Sequence, residues 1–378
     1  MVVALFVPLL YSSQSVTTGA RVRTLEQAAA YLQRGDAAGA ESLLRPLLDS
    51  SPNDAVALNL EGLVETQKHD EREAERLFRR AIAESRDKLP GPHVNLALLD
   101  ATSRPLDALS ELHAALAIKP DDKQAQELVR SISKQAALNA MQSGDNSQAL
   151  EMLTRARQEL PHDPEISFNL GMVLYRCGAN GDAETALRQA LEQRPGDSEA
   201  IYALARVYLA ESKPGPAEEK MREYLRSHPK DATAQYGLGY ILVAEQKIPE
   251  AKAAFEESLA LQPNQTESLF QLGEIALAEG ENAMAQQKLG EVLRRDPHHG
   301  GALTDMGLLS FKDSDYGRAK EQLEQAILSA PTYQKAHYYL ALTLFRMGDK
   351  TAASREFNTA KALQKPRTPD LHLTPALQ

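Results

Sequence analysis

The chain has no tryptophan and one cysteine, Cys177, among 378 residues. A single cysteine excludes an internal disulfide and any metal site built from several thiolates. It leaves the redox compartment open, because a chain without disulfides suits either environment. Excess positive charge is missing as well: 42 Lys and Arg stand against 52 Asp and Glu, a net charge of −10. That balance argues against nucleic acid as the main partner, since phosphate contacts need clustered cations. Aromatics are scarce at 5% and β-branched residues are few, while Ala, Leu, Glu, Gln and Arg abound. This is the vocabulary of helices. With 43% hydrophobic and 25% charged residues, the chain belongs with soluble folded proteins rather than disordered ones.

What is present in abundance is repetition. Alanine recurs at 40, 74, 108, 149, 183, 217, 251, 285, 319 and 353, with eight intervals of 34 residues and one of 41. A fixed period of this length marks a stacked-repeat architecture and overrides the two or three domains that length alone would suggest. One copy, from Pro164 to Asp197, shows the logic. Ile166, Leu170 and Leu174 form one helical stripe, Gly178 to Asp182 carries turn chemistry, and Ala183, Ala186, Leu187 and Ala190 form a second stripe closed by Pro195. Each repeat therefore reads as helix–turn–helix, with helices of roughly 13 residues that are too short to be stable without neighbours.

Two further registers repeat. A small residue sits on the first helix at Ala28, Gly62, Ala97, Ala137, Gly171, Ala205, Gly239, Gly273, Gly307 and Ala341. Four residues after the register alanine stands a bulky one: Leu44, Phe78, Leu112, Leu153, Leu187, Met221, Phe255, Leu289, Leu323 and Phe357. Small residues at a close helix crossing leave room for little else. Proline closes most repeats, at 52, 120, 161, 195, 229, 263, 297 and 331.

This pattern resembles the tetratricopeptide repeat family over residues 21 to 366. The resemblance rests on an apolar–small pair (Leu170-Gly171, Leu238-Gly239, Leu272-Gly273, Leu340-Ala341), then Ala, then Leu or Phe, then Pro, ten times in register. It implies an all-α, right-handed superhelical solenoid of antiparallel helix pairs whose first helices line a concave surface. The departures are local. Ala97 to Ala108 spans 11 residues rather than 12, and Arg86 stands where a closing proline is expected. The seven extra residues between Ala108 and Ala149 predict an elongated first helix, longer by about 10.5 Å and projecting beyond its neighbours.

The expected organisation is a signal or export segment at 1–20, three repeats over 21–122, a fourth with the elongated helix over 123–163, repeats five to ten over 164–367, and a flexible, proline-rich tail at 368–378. The apolar run Val2 to Leu10, interrupted by Pro8, is too short to span a bilayer and suits the core of a secretory signal. It lacks the positively charged start and a clean cleavage site, so an extension packed on the first helix is the competing reading. Export would place the protein in the periplasm or another extracytoplasmic space of a bacterial-type cell; without it the cytoplasm is the alternative. No capping helix follows the last repeat, so that end is expected to be covered by the tail or by another protein.

Function in such a chain is expected on residues facing away from the packed helices. On the face opposite the core stripe, one row reads Phe168, Tyr202, Tyr236, Phe270, Thr304 and Tyr338, and a second reads Tyr175, Leu209, Val243, Leu277, Phe311 and Phe345. Met172, Arg206, Tyr240, Glu274, Leu308 and Leu342 lie between them. The resemblance puts this face on the concave side. The expected peptide-binding groove is Phe168, Tyr175, Tyr202, Arg206, Tyr236, Tyr240, Phe270, Phe311, Tyr338 and Phe345, because aromatics supply contact area at low entropy cost. Tyr202, Tyr236, Tyr240 and Phe270 would be the anchors, with Arg206 as the nearby cation. Packing of these rings between repeats, or a mixture of packing and binding, is the alternative. Family members that clamp acidic tails use Lys and Asn at set positions; here these read Phe168 with Met172, Ala203, and Thr233 with Gly237, so that clamp is missing.

Candidate chemistry is weak. Ser131-Ile132-Ser133-Lys134 has acyl-enzyme spacing but no companion motif. His298 and His299 are adjacent in an expected solvated turn without a third ligand. Gly237-Leu238-Gly239 has neither the preceding strand nor the third glycine of a phosphate loop. Cys177 reads as a quiet, partly buried thiol, and the remaining carboxylates as solvating charge. No cofactor, metal, catalytic residue or small-molecule substrate is expected. Membrane contact would come only through the export segment. The resulting expectation is a non-enzymatic scaffold that binds a peptide or helix of a partner protein, in envelope assembly or secretion. The alternatives are a targeting or regulatory subunit of a separate enzyme such as a glycosyltransferase, or RNA binding by related helical-pair repeats.

Overall fold

A computed structural model of the chain describes residues 16–364. The expected tail at 368–378 lies outside the described residues, as does the expected export segment apart from 16–20, which begin the first helix. The described residues form twenty helices and no strand, so the chain is an all-α stack of helix pairs.

Two compact units divide it, 1–195 and 196–378. The first holds α1 (Val16–Gln33), α2 (Ala37–Ser50), α3 (Ala55–Gln67), α4 (Glu71–Ser85), α5 (Pro90–Asp100), α6 (Pro105–Ile118), α7 (Lys123–Gln142), α8 (Asn146–Glu159), α9 (Pro164–Arg176) and α10 (Asn180–Gln193). The second holds α11 (Ser198–Ala210), α12 (Pro214–Ser227), α13 (Ala232–Ala244), α14 (Ile248–Leu261), α15 (Thr266–Glu279), α16 (Asn282–Arg295), α17 (Gly300–Lys312), α18 (Tyr316–Ser329), α19 (Gln334–Arg346) and α20 (Lys350–Ala362). Odd-numbered helices are the first of each pair. The seven-residue insertion is absorbed in α7, which runs unbroken for 20 residues where α9 has 13.

Each helix starts and stops for reasons that repeat with the period. Closing prolines open a short turn that ends on a capping residue two positions later. Asp54, Asp122, Asp163, Asp197 and Asp231 each accept backbone N–H groups of the first turn of α3, α7, α9, α11 and α13, satisfying donors that the helix itself cannot pair. His299 holds the same register in α17 and accepts from the Ala302 N–H through Nδ1 at 3.0 Å. Between the helices of a pair the chain turns through a left-handed residue: Gly35, His69, Gly144 and Gly178 in the first unit, Ser212, Gln246, Gly280, Ser314 and Gly348 in the second. The next N–H then folds back onto the first helix, as in Asp70 to the Glu65 carbonyl and Lys247 to the Leu242 carbonyl, both 2.9 Å.

The departures have local causes. The pair α5–α6, one residue short, has no left-handed residue in its turn; Ala101 stays right-handed. Arg86, where a proline was expected, has φ 53°, and Asp87 has φ 55°. Proline is held near −65° and cannot take that place.

Packing follows the small and bulky registers. Nine of the ten register alanines have no exposed surface, and Ala353 has 2%. On the first helix, a methyl added at Gly171 would lie 2.7 Å from Leu187 Cγ, at Gly239 2.6 Å from Phe255 Cε1, at Gly273 3.0 Å from Leu289 Cδ2 and at Gly307 2.6 Å from Leu323 Cγ; at Gly62 it would collide with Phe78. The bulky side chain of the second helix thus lies where a β-carbon would be. Where the slot is alanine and the partner is phenylalanine, at Ala341 and Phe357, the ring stays half-buried.

Neighbouring pairs are joined mainly where the second helix of one packs on the first helix of the next, as α2 on α3 and α18 on α19, with smaller contacts between first helices. In the first unit α1 touches α3, α3 touches α5 and α7 touches α9; in the second α15 touches α17 and α17 touches α19. The side of each unit on which first helices touch one another is called its inner side.

Gly239→Ala tests the slot. Alanine gains about 1 kcal/mol of helix propensity over glycine, but overpacking against Phe255 costs about 1–3 kcal/mol, so a net loss in urea midpoint is expected. Adding Phe255→Leu should recover much of it; additive losses in the double variant would refute the fit. Gln246→Gly, which relieves a left-handed side chain, should raise the unfolding free energy by about 1 kcal/mol; no change on urea titration would show that Gln246 is unstrained.

Candidate interaction surface

The aromatic rows do not form one open ladder. Phe168 and Tyr175 are half-buried on α9 in the first unit. In the second unit Tyr202 is half-buried, its ring 4.9 Å from Tyr224, which stacks on His228 and donates its hydroxyl to Asp231 at 2.8 Å. Tyr236 lies 5.8 Å from the Phe255 ring and Phe311 5.6 Å from Tyr316. Two expected groove residues face away from solvent: Phe270 is 7% exposed and Arg206 6%. Phe270 is covered because the next pair begins over it, with His299 at 4.7 Å and the bare α-carbon of Gly301 against its edge. Thr304 at the next step is fully buried.

Exposure is concentrated on α19, where no further described pair follows. Tyr338 is 42% and Phe345 56% exposed, and Met347, just past the helix, is exposed as well. Lys335, Tyr338, Leu342 and Phe345 follow one another at three- and four-residue steps, so they share one face of α19. Tyr338 is braced from behind by edge contacts to Tyr339 and Phe357.

Beside that stripe lies a charged cluster whose carboxylates do more than solvate a helix face. Asp305 on α17 has no exposed surface. Lys335 of α19 reaches its Oδ1 at 2.6 Å and Oε1 of Glu274, on α15, at 3.2 Å. Three successive first helices are thus tied on their inner side by one ammonium. Burial pushes the Asp305 carboxyl up to about 6, against the pull of Lys335 and with Glu274 adding to the rise. Burial also works against the Lys335 charge, but Asp305 and Glu274 outweigh it and hold the ammonium above its ordinary value. The Tyr236 hydroxyl is raised, first by burial and then by the negative charge of Glu267 and Glu274. His299, 3.5 Å from Glu267, is raised because that carboxylate outweighs the effect of burial. Tyr236, Glu267, Glu274, His299, Asp305 and Lys335 therefore share one electrostatic neighbourhood. A charge at the Asp305 position, where other repeats carry Ala203, Gly237, Gln271 and Tyr339, was the available signal.

The motifs set aside on sequence are placed as follows. Ser131 Oγ is 3.3 Å from the Leu128 carbonyl, Ser133 is buried, and Lys134 pairs with Glu165 at 3.0 Å. His299 is a half-buried cap rather than part of a solvated turn, whereas His298 is exposed. Gly237 and Gly239 are buried inside α13. Cys177 is exposed, not partly buried. A cleft of about 550 Å³ is lined by Arg21, Asp54 and Glu84, and Arg21 pairs with Asp54 in its wall at 2.5 and 2.8 Å. Among the described residues no helix is long and apolar enough to cross a membrane.

Comparison with known proteins places these features in context. Residues 25–88, and 140–207 with 178–238, match two tetratricopeptide repeat family models. Residues 220–336 match the model of the tetratricopeptide repeat domain of cytochrome c-type biogenesis protein H. No curated protein matches. Among solved structures, PilF of Pseudomonas aeruginosa is 23% identical, with 53% of this chain and 91% of that one covered and a TM-score of 0.46. A tetratricopeptide repeat protein of Parabacteroides merdae is 16% identical, covering 68% and 98%, TM-score 0.47. Yeast Tom70 is 13% identical, covering 93% of each, TM-score 0.42.

Lys335→Ala should strand the buried Asp305 carboxylate. Breaking a buried pair costs roughly 3–5 kcal/mol, and the low end is expected because Lys335 is 31% exposed. A carboxyl raised from 3.8 to about 6 binds its proton in the folded state first, so folding gains as pH falls through that window. Loss of Lys335 raises it further. Urea midpoints at pH 7.5 and 5.0 should therefore show a deficit that narrows at the lower pH; an equal deficit at both would refute this account.

Proposed function

The chain belongs to the tetratricopeptide repeat family, and on that footing we propose that it is a non-catalytic scaffold that captures a segment of a partner protein on the inner face of its second unit. The observation that carries this reading is the open stripe of α19, Tyr338 and Phe345, beside the Glu274–Lys335–Asp305 cluster. Large apolar side chains at 42% and 56% exposure are costly to leave in water and are the usual anchors of an interface. Stacked repeats hold such groups on stiff helices, so little ordering entropy is lost at the receptor when a segment docks.

The same stretch lies beside residues 220–336, the part that matches the repeat domain of a cytochrome c-type biogenesis protein. That match supports an assembly role, and with the apolar run Val2 to Leu10 it supports work in the cell envelope.

Photo-crosslinking residues placed at Tyr240 and Tyr338, with Glu256 on α14 as a control, test the proposal in cells. Discrete protein adducts are expected from the first two positions and weaker or no adducts from the third. Adducts from Glu256 alone, or none from any position, would reject inner-face capture.

A further inference from the structure

The second unit's inner face has a chemical polarity. At one end, Glu267, Glu274 and Asp305 gather with Lys335, His299 and the Tyr236 ring. Asp305 is wholly buried, yet neither of its carboxylate oxygens has a hydrogen-bond partner. Lys335 approaches Oδ1 as an ion pair at 2.6 Å and divides its charge with Glu274. Glu267 is 54% exposed and Glu274 31%. Three carboxylates against one lysine and one histidine leave this end net negative.

Along α19 the character changes. One turn beyond Lys335 comes Tyr338, then half-buried Leu342, then Phe345. At that far end the exposed charges are of both signs, Lys312 with Asp313 and Asp315 after α17, and Arg346 with Asp349 and Lys350 after α19. An apolar stripe therefore leads away from a negative end, and a segment lying on it is favoured when its cation meets that end.

We propose that this face selects an amphipathic protein segment with a Lys or Arg at the Glu274 end and large apolar side chains over Tyr338 and Phe345. The partner's cation sits over Glu274 and Glu267 and lets Lys335 turn wholly to Asp305, so the carboxylates gain a counter-charge that the chain itself does not supply. The inference rests on the inner-face docking reading and adds the chemistry of the occupant.

A displayed library of random 12-residue peptides, panned on the full chain, tests it. Wild type should retain peptides that combine Lys or Arg with aromatic or aliphatic residues. A fluorescent synthetic copy of a retained peptide should lose more than tenfold in affinity to Glu274→Lys and a few-fold to Glu274→Gln, with a shallower salt dependence. Exchanging the peptide's basic residue for Glu should restore binding to Glu274→Lys. Phe345→Asp should abolish binding to either version while helicity is unchanged.

Peptides that depend on Phe345 but carry no basic residue and ignore Glu274 would leave the docking reading standing and overturn the cationic selection. Retention of acidic peptides would overturn it as well. Retention of none, or of peptides indifferent to both Phe345 and Glu274, would sink both readings.

Discussion

A glycine or alanine on one helix receiving a bulky side chain from the next is the contact on which the stack depends. At Gly171, Gly239 and Gly307 the partner side chain comes within about 2.7 Å of where a β-carbon would stand. That leaves the two backbones closer than ordinary side chains permit and sets the same geometry in every pair. Because each helix is too short to persist alone, this contact and the buried register alanine supply the tertiary reason for each helix to exist. The size match is local: glycine admits a phenylalanine at 62 and 78 or 239 and 255, whereas alanine at 341 leaves Phe357 half outside.

Once pairing is secured by a few registers, the intervening positions are released from the core. Closing prolines, aspartate caps and a left-handed turn residue mark the boundaries, and each can be replaced where local geometry offers another solution. His299 caps as an aspartate would, and Arg86 with Asp87 turns the chain where proline cannot. Released positions on the inner face then carry what distinguishes this chain. Phe270 is taken back into packing by the pair that follows it, while Tyr338 and Phe345 are not.

The Asp305–Lys335–Glu274 cluster shows why a binding face and a packing face merge in such proteins. One ammonium bridges three successive helices, so it both holds the inner side together and leaves carboxylate oxygens short of partners. Buried charge of this kind contributes little net stability compared with an apolar filling; its consequence is a charged surface fixed in position on stiff helices.

Period, helix pairing and the identity of the packed registers were legible in the residues, because a steric rule applied ten times in register leaves a pattern that needs no coordinates. The elongated α7 and the short α5–α6 turn were legible for the same reason, as changes in spacing. Which aromatic rings remain open was decided by tertiary structure: the 168 register looks alike at Tyr202, Phe270 and Tyr338, yet the first is half-buried, the second buried under His299 and Gly301, and the third 42% exposed. The role of Asp305 was hidden too. Its cation lies 30 residues away in sequence, and the burial that makes the pair matter is a property of three helices meeting in space.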